Sequence, residues 1–210
     1  MTWKRLAIWS VLAAALAAPI GAEAFASAHW KSKIELEGSP EGRADGRPMP
    51  TDYEIWLKGG QMRMKANASG MTIHMLKVGD DLYNWMDGQG MGMKMTAGAN
   101  RRGRATQDYV NQVDVIRAKG KKTGTETIDG HPCEIWEYAG EQGDSHKGTY
   151  WLATDLKNFP VKAIRETERG KVTYHNSDIE IPAKVSDDLF AVPKDIVFRD
   201  MGEMQRPQKN

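Results

Sequence analysis

The sequence has one cysteine, no long apolar run and no excess of either charge. A single Cys133 excludes an internal disulfide and any paired-cysteine redox or zinc motif, so the fold must stand on packing. No stretch reaches the roughly 18 uninterrupted apolar residues that a membrane-spanning helix needs. With 29 basic and 28 acidic residues, the balance argues against a nucleic-acid binder. The common catalytic signatures are also missing: there is no GxSxG, no P-loop, and no GxGxxG ahead of a helix. The five histidines, at positions 29, 74, 131, 146 and 175, form no HxH or HExxH pair, which leaves zinc without a ligand set. Cys133 sits mid-strand beside Pro132 and reads as a small buried hydrophobe rather than a nucleophile. The expectation is a protein that is not an enzyme and carries no cofactor.

Residues 1–26 read as a cleavable signal peptide. Lys4 and Arg5 supply the positive start, residues 6–18 an uncharged Ala-rich stretch, and Ala24-Phe25-Ala26 a small-residue cut site before Ser27. Pro19, Gly21 and Glu23 interrupt the apolar run, and no cysteine lies near the cut to be acylated. The expected mature protein is exported, periplasmic in a Gram-negative cell, with 27 basic and 27 acidic residues. One domain over residues 27–200 and a polar C-terminal tail over 201–210 are expected.

Short alternating runs separated by turn residues dominate the rest. The pattern predicts strands over 29–37, 51–58, 61–67, 71–78, 82–86 and 90–96, with Gly59-Gly60 as a strong hairpin signal. Residues 38–50 are rich in Gly, Pro and charge and read as a long loop. Tyr109, Val113 and Ile116 recur at helical spacing, which predicts one helix over about 106–118, with Thr106 as its cap and Gly120 at its end. A meander follows over 122–128, 131–139, 147–153, 161–168 and 171–181, with turns at Asp129-Gly130, 140–145, 158–160 and Arg169-Gly170. One helical turn is expected over 186–189. The fold class is therefore mainly β: an open antiparallel half-barrel of about ten or eleven strands with one helix across its mouth.

The most unusual feature is methionine. Of 12, nine fall between Met49 and Met95. Strand side chains repeat every two residues, so Met91, Met93 and Met95 share a side, as do Met62 and Met64, while Met71 and Met75 add a third pair. Three readings compete. A methionine wall suits an adaptable pocket for an apolar ligand, together with aromatic groups such as Trp85, Trp136 and Tyr138. Thioethers with a histidine such as His74 suit Cu(I). An ordinary core that uses methionine as filler is the third. Trp30, Trp56 and Trp151 read first as sheet-face burial. Arg101, Arg102 and Arg104 precede the helix, and Arg117, Lys119, Lys121 and Lys122 cluster at its far end. If those loops border a cavity mouth, the three arginines are candidates for contact with anionic lipid headgroups or a partner.

Three segments carry a family resemblance. Gly124-Thr-Glu-Thr-Ile-Asp-Gly-His-Pro-Cys-Glu-Ile-Trp-Glu-Tyr138 looks like a GxxxIxGxxC hairpin, Tyr150-Trp-Leu-Ala-Thr-Asp-Leu-Lys-Asn-Phe-Pro-Val161 like a YW…PV strand pair, and Asp188-Leu-Phe-Ala-Val-Pro193 like a closing xLFxxP. With the signal peptide, the meander and the mid-chain helix, they resemble the LolA/LolB-type lipoprotein-carrier superfamily, which includes RseB-like sensor domains. The resemblance implies a curved sheet around an apolar cavity that receives acyl chains, and a place in outer-membrane lipoprotein sorting or sensing. The implied partners are a lipid or an acylated protein, with transient contact to membrane or envelope proteins. The expected function is thus a periplasmic carrier or sensor for an apolar ligand. A methionine-based Cu(I) protein and an envelope-complex module without a small ligand are the alternatives.

Overall fold

The computed structural model describes residues 26–37, 50–68, 70–96, 112–140, 147–167 and 170–201. In chain order these form β1 (Ser27–Glu37), β2 (Asp52–Lys58), β3 (Gln61–Ala68), β4 (Met71–Val78), β5 (Asp81–Met86), β6 (Met91–Thr96), helix α1 (Gln112–Lys119), β7 (Lys121–Ile128), β8 (His131–Tyr138), β9 (Gly148–Ala153), β10 (Phe159–Thr167), β11 (Gly170–Glu180) and β12 (Val197–Asp200). Two 3₁₀ turns cover Thr154–Leu156 and Asp187–Phe190.

All twelve strands belong to one sheet, in the order β12-β6-β5-β4-β3-β2-β1-β11-β10-β9-β8-β7. The two ends of that order do not pair, so the sheet is open and not a closed barrel. Every neighbouring pair is antiparallel except β12 and β6, which run parallel. Strand β1 joins the two wings, pairing β2 on one side and β11 on the other.

Tight hairpins follow from local chemistry. Gly59 and Gly60 have φ of 54° and 80°, and Asp129 and Gly130 have 51° and 83°. Positive φ at both turn positions gives the mirror-type turn whose twist matches that of the strands it joins, and Gly and Asp tolerate it best.

Antiparallel partners share a face, so the register sorts the side chains. One row runs Trp30, Ile55, Met64, Met75, Asn84, Met93 across six strands. This face, called inner here, holds the main core. Trp30, Ile55, Met64, Met75, Tyr150, Leu152 and Tyr174 are buried there with Val113 and Ile116 of α1. Full burial of each large apolar side chain contributes about 1.5–3 kcal/mol. Two smaller clusters cover the outer face: Leu76, Trp85, Val185 and Phe190 on one wing, and Cys133, Trp151, Ala153 and Val161 on the other.

Eleven strands fall where alternation predicts them. The twelfth, β12, is not foreseen by the pattern, because four residues are too few to show a period and its parallel partner is not a hairpin neighbour. The turn expected over 158–160 is tighter. Lys157 and Asn158 take the positive φ of 54° and 63°, and β10 begins at Phe159. The expected turn over 186–189 is the 3₁₀ segment Asp187–Phe190, capped by Ser186. Helix α1 keeps its expected end, with Gly120 N donating to Ile116 O at 2.7 Å. Positions 106–111 of the expected helix, Arg101, Arg102, Arg104, most of the 38–50 loop, residues 1–25 and residues 202–210 lie outside the described residues.

Candidate functional site: the methionine face

Strands β3, β4 and β6 place seven methionines on the inner face. Met62 and Met64 alternate with outer-facing Arg63, and register pairs Met64 with Met75 and, through Asn84, with Met93. Met71, Met91 and Met95 follow by the two-residue repeat. Exposure is graded along the set. Met64 is 0 % exposed and Met62 and Met75 are buried, Met93 and Met95 are half-buried, and Met71 and Met91 are 50 % and 56 % exposed. A flexible, polarisable strip therefore runs from the dry centre of the core to the surface.

Trp136 and Tyr138 share this face but lie on the far wing. Trp136 pairs with inner-facing Tyr150 and packs against the main core, in which Tyr138 is buried. Arg117 of α1 stands 6.0 Å from the Trp136 ring.

Trp85, grouped with the methionines in the sequence reading, projects from the outer face. Its register neighbours are His74 and Gly92, each one position out of phase with the methionine rows. There it stacks on His74 at 5.1 Å, with the Arg63 guanidinium 4.3 Å from its ring and Phe198 edge-on at 5.7 Å. His74 is likewise turned away from the thioethers. Its Nδ1 accepts from Arg63 Nη2 at 2.7 Å, which makes the ring neutral and leaves Nε2–H to donate to Asp87 Oδ1 at 2.6 Å. A copper site combining His74 with Met64 or Met75 is not assembled, because a sheet separates them.

The inner face is not wholly apolar. Asn84 is 1 % exposed, and neither its amide nitrogen nor its oxygen has a hydrogen-bond partner among the described residues. Trp30 Nε1 and Asn176 Oδ1 are in the same condition, although Asn176 Nδ2 donates to Pro160 O at 2.7 Å. The Tyr53 hydroxyl donates to Pro50 O at 2.9 Å, and burial pushes its ionisation well above the usual phenol range. Arg165, also buried, lies 5.1 Å from the Tyr174 ring. These groups can meet the polar end of an otherwise apolar molecule. Sequence reasoning missed Asn84, yet the signal was present: in Leu82-x-Asn84-x-Met86 an amide occupies the apolar phase of a strand.

Cys133 is buried on the outer face. Its thiol donates to His131 O at 3.4 Å, and burial pushes its pKa up, which is the reverse of what a nucleophile needs. Among the described residues no three His, Cys, Asp or Glu side chains are gathered closely enough to hold a metal ion.

An open twelve-stranded half-barrel with a methionine strip is the class that fold and site define. The chain belongs to the family of the domain of unknown function DUF4412, whose model matches residues 48–159. No curated protein matches it. Among solved structures, the chain is similar to MucB at 13 % identity and a TM-score of 0.50, covering 90 % of this chain and 65 % of MucB. It thus spans just under two thirds of the MucB chain. It is also similar to an uncharacterized conserved protein from Thermus thermophilus, at 10 % identity and a TM-score of 0.51, covering 83 % of this chain and 90 % of that one. At these identities the likeness shows the fold alone.

Proposed function

We propose that this protein is a periplasmic, non-enzymatic carrier or sensor that binds an acyl chain, as a lipid or on an acylated protein, against the inner face of its sheet. The observation that carries the reading is the graded methionine strip, seven side chains on one face that pass from Met64 in the core to the exposed Met71 and Met91. Methionine has three rotatable bonds and no branch, so such a strip can part and re-close around an apolar chain more readily than a Leu or Ile core. Each methylene of the chain that leaves water contributes about 0.8 kcal/mol. The amide of Asn84, without a partner among the described residues and set between Met75 and Met93, offers a hydrogen bond to an ester or carboxyl group. The signal-like start and the resemblance to lipoprotein carriers support export and this ligand class.

Native mass spectrometry of the protein purified from the envelope compartment tests the reading. The expected spectrum shows a second species heavier by one acyl-bearing molecule, which disappears on delipidation. Protein found only at its bare mass, or heavier by a metal ion, contradicts it.

A further inference from the structure

On the outer face, between β3, β4 and the chain that follows β11, lies a cavity of about 360 Å³ that the methionine reading does not use. Its floor is the Arg63, His74 and Trp85 cluster. Its opposite wall is apolar, built from Leu189, Ala191, Pro193 and Ile196 around the second 3₁₀ turn.

Arg63 is the unusual group. It is 9 % exposed, and among the described residues no carboxylate lies within ion-pair distance of it. Its one hydrogen-bond partner among the described residues is the neutral His74, and His74 in turn occupies Asp87. The acid nearest in the network is therefore separated from the guanidinium by a whole imidazole ring. Burial without a paired anion is costly for a guanidinium, and it holds the pKa of Arg63 down to about 10, far below its ordinary range. A guanidinium carries five N–H donors in a planar fork suited to carboxylate or phosphate, and His74 takes only one of them. Lys65, in register with His74, adds a second cation to the lining. Asp87, Asp188 and Asp195 also border the cavity, but all three are exposed to water; Asp87 is taken up by His74, and Asp188 accepts from the Ser186 hydroxyl at 3.3 Å.

We infer that this cavity binds a small molecule with an anionic oxygen group on an apolar body, the anion held by Arg63 and the body lying against Leu189, Pro193 and Ile196. His74 is then a positioning residue. By accepting from one guanidinium nitrogen while held by Asp87, it fixes the plane in which the remaining donors are presented. The site is independent of the methionine strip, because the sheet lies between them.

The test is calorimetric titration of the exported protein with benzoate and with phenyl phosphate, which distinguish a carboxylate from a phosphate source, and with benzyl alcohol as the uncharged control. One anion is expected to bind with a stoichiometry of one, and benzyl alcohol to bind far more weakly. Arg63→Met, which keeps the apolar stem and removes the charge, is expected to lower the affinity about tenfold or more, the usual worth of a charge-assisted pair. Ala191→Trp, which fills the cavity from its exposed rim, is expected to lower it as much and decides the matter if Arg63→Met fails to fold. Met93→Gln, on the other face, is expected to leave it unchanged. The inference is overturned if neither anion binds at millimolar concentration, if Arg63→Met or Ala191→Trp melts normally and binds as wild type, or if Met93→Gln abolishes binding. In those cases the Arg63 cluster is a structural cation–π stack.

Discussion

Asn84 has a buried amide with no partner among the described residues, in a row otherwise made of Trp30, Ile55, Met64, Met75 and Met93. An unsatisfied buried amide costs about 1–3 kcal/mol, whereas an apolar group of the same shape costs nothing of the kind. Asn84→Leu is therefore expected to raise the stability of the free protein by about that amount. A denaturant titration checks this, and a fall in midpoint would mean that the amide is satisfied in solution. His74 makes the opposite point, since its neutrality is used. Burial first, and the Arg63 charge after it, hold its pKa below the usual histidine value, while the bond to Asp87 pulls the other way without prevailing. The unfolded chain therefore binds a proton near pH 6.5 that the folded one refuses. Stability is complete above that pH and falls as pH drops below it toward the folded value. His74→Gln is expected to flatten this part of the melting-temperature profile. An unchanged slope would place the acid sensitivity elsewhere.

Among the elements, β12 shows best what a single strand cannot reveal. It is held by parallel pairing to β6 and by Phe198, whose ring lies edge-on to Tyr83 at 5.0 Å and to Trp85 at 5.7 Å. Gly92 makes the room for it, since a Cβ there would stand 2.6 Å from the Phe198 ring and 2.8 Å from Asn84 O. Gly92→Ala is expected to cost about 1–3 kcal/mol through overpacking. Phe198→Ala is expected to cost about 2 kcal/mol, less than for a fully buried phenylalanine because Phe198 is half-exposed. The double variant should cost less than the sum, because the smaller residue at 198 relieves part of the clash. Strict additivity in a thermal-melt cycle would show that the two positions do not touch. Strands β2 and β3 were legible because apolar and polar residues alternate along them and Gly59-Gly60 marks the turn between them. Phe198 and Gly92 meet across more than 100 positions of sequence, and no local pattern carries that contact.

For the whole molecule, the two-residue repeat was enough to put the methionines of each strand together, but not to say which strands share a side. Register decides that. A shift of one position separates Met75 from His74 and Met93 from Gly92, and so sends Trp85 and His74 to the outer face with Arg63. Of the ten candidate residues, nine lie on the inner face and Trp85 lies on the outer one, while Asn84, at the centre of the inner row, was not among them.

The central claim is that the methionine face receives an apolar chain, and displacement of a fluorescent fatty acid tests it most directly. Wild type is compared with two triple variants in which Met91, Met93 and Met95 become Leu or become Gln. These three are exposed or half-buried, so the fold is expected to survive both sets. Leu keeps volume and hydrophobicity at under about 1.5 kcal/mol per site, so the Leu variant is expected to bind the probe like wild type. The Gln variant is expected to melt normally and lose the probe, because its amides would be buried against the chain without partners. The account is contradicted if wild type binds no probe, or if the Leu variant loses it while melting normally.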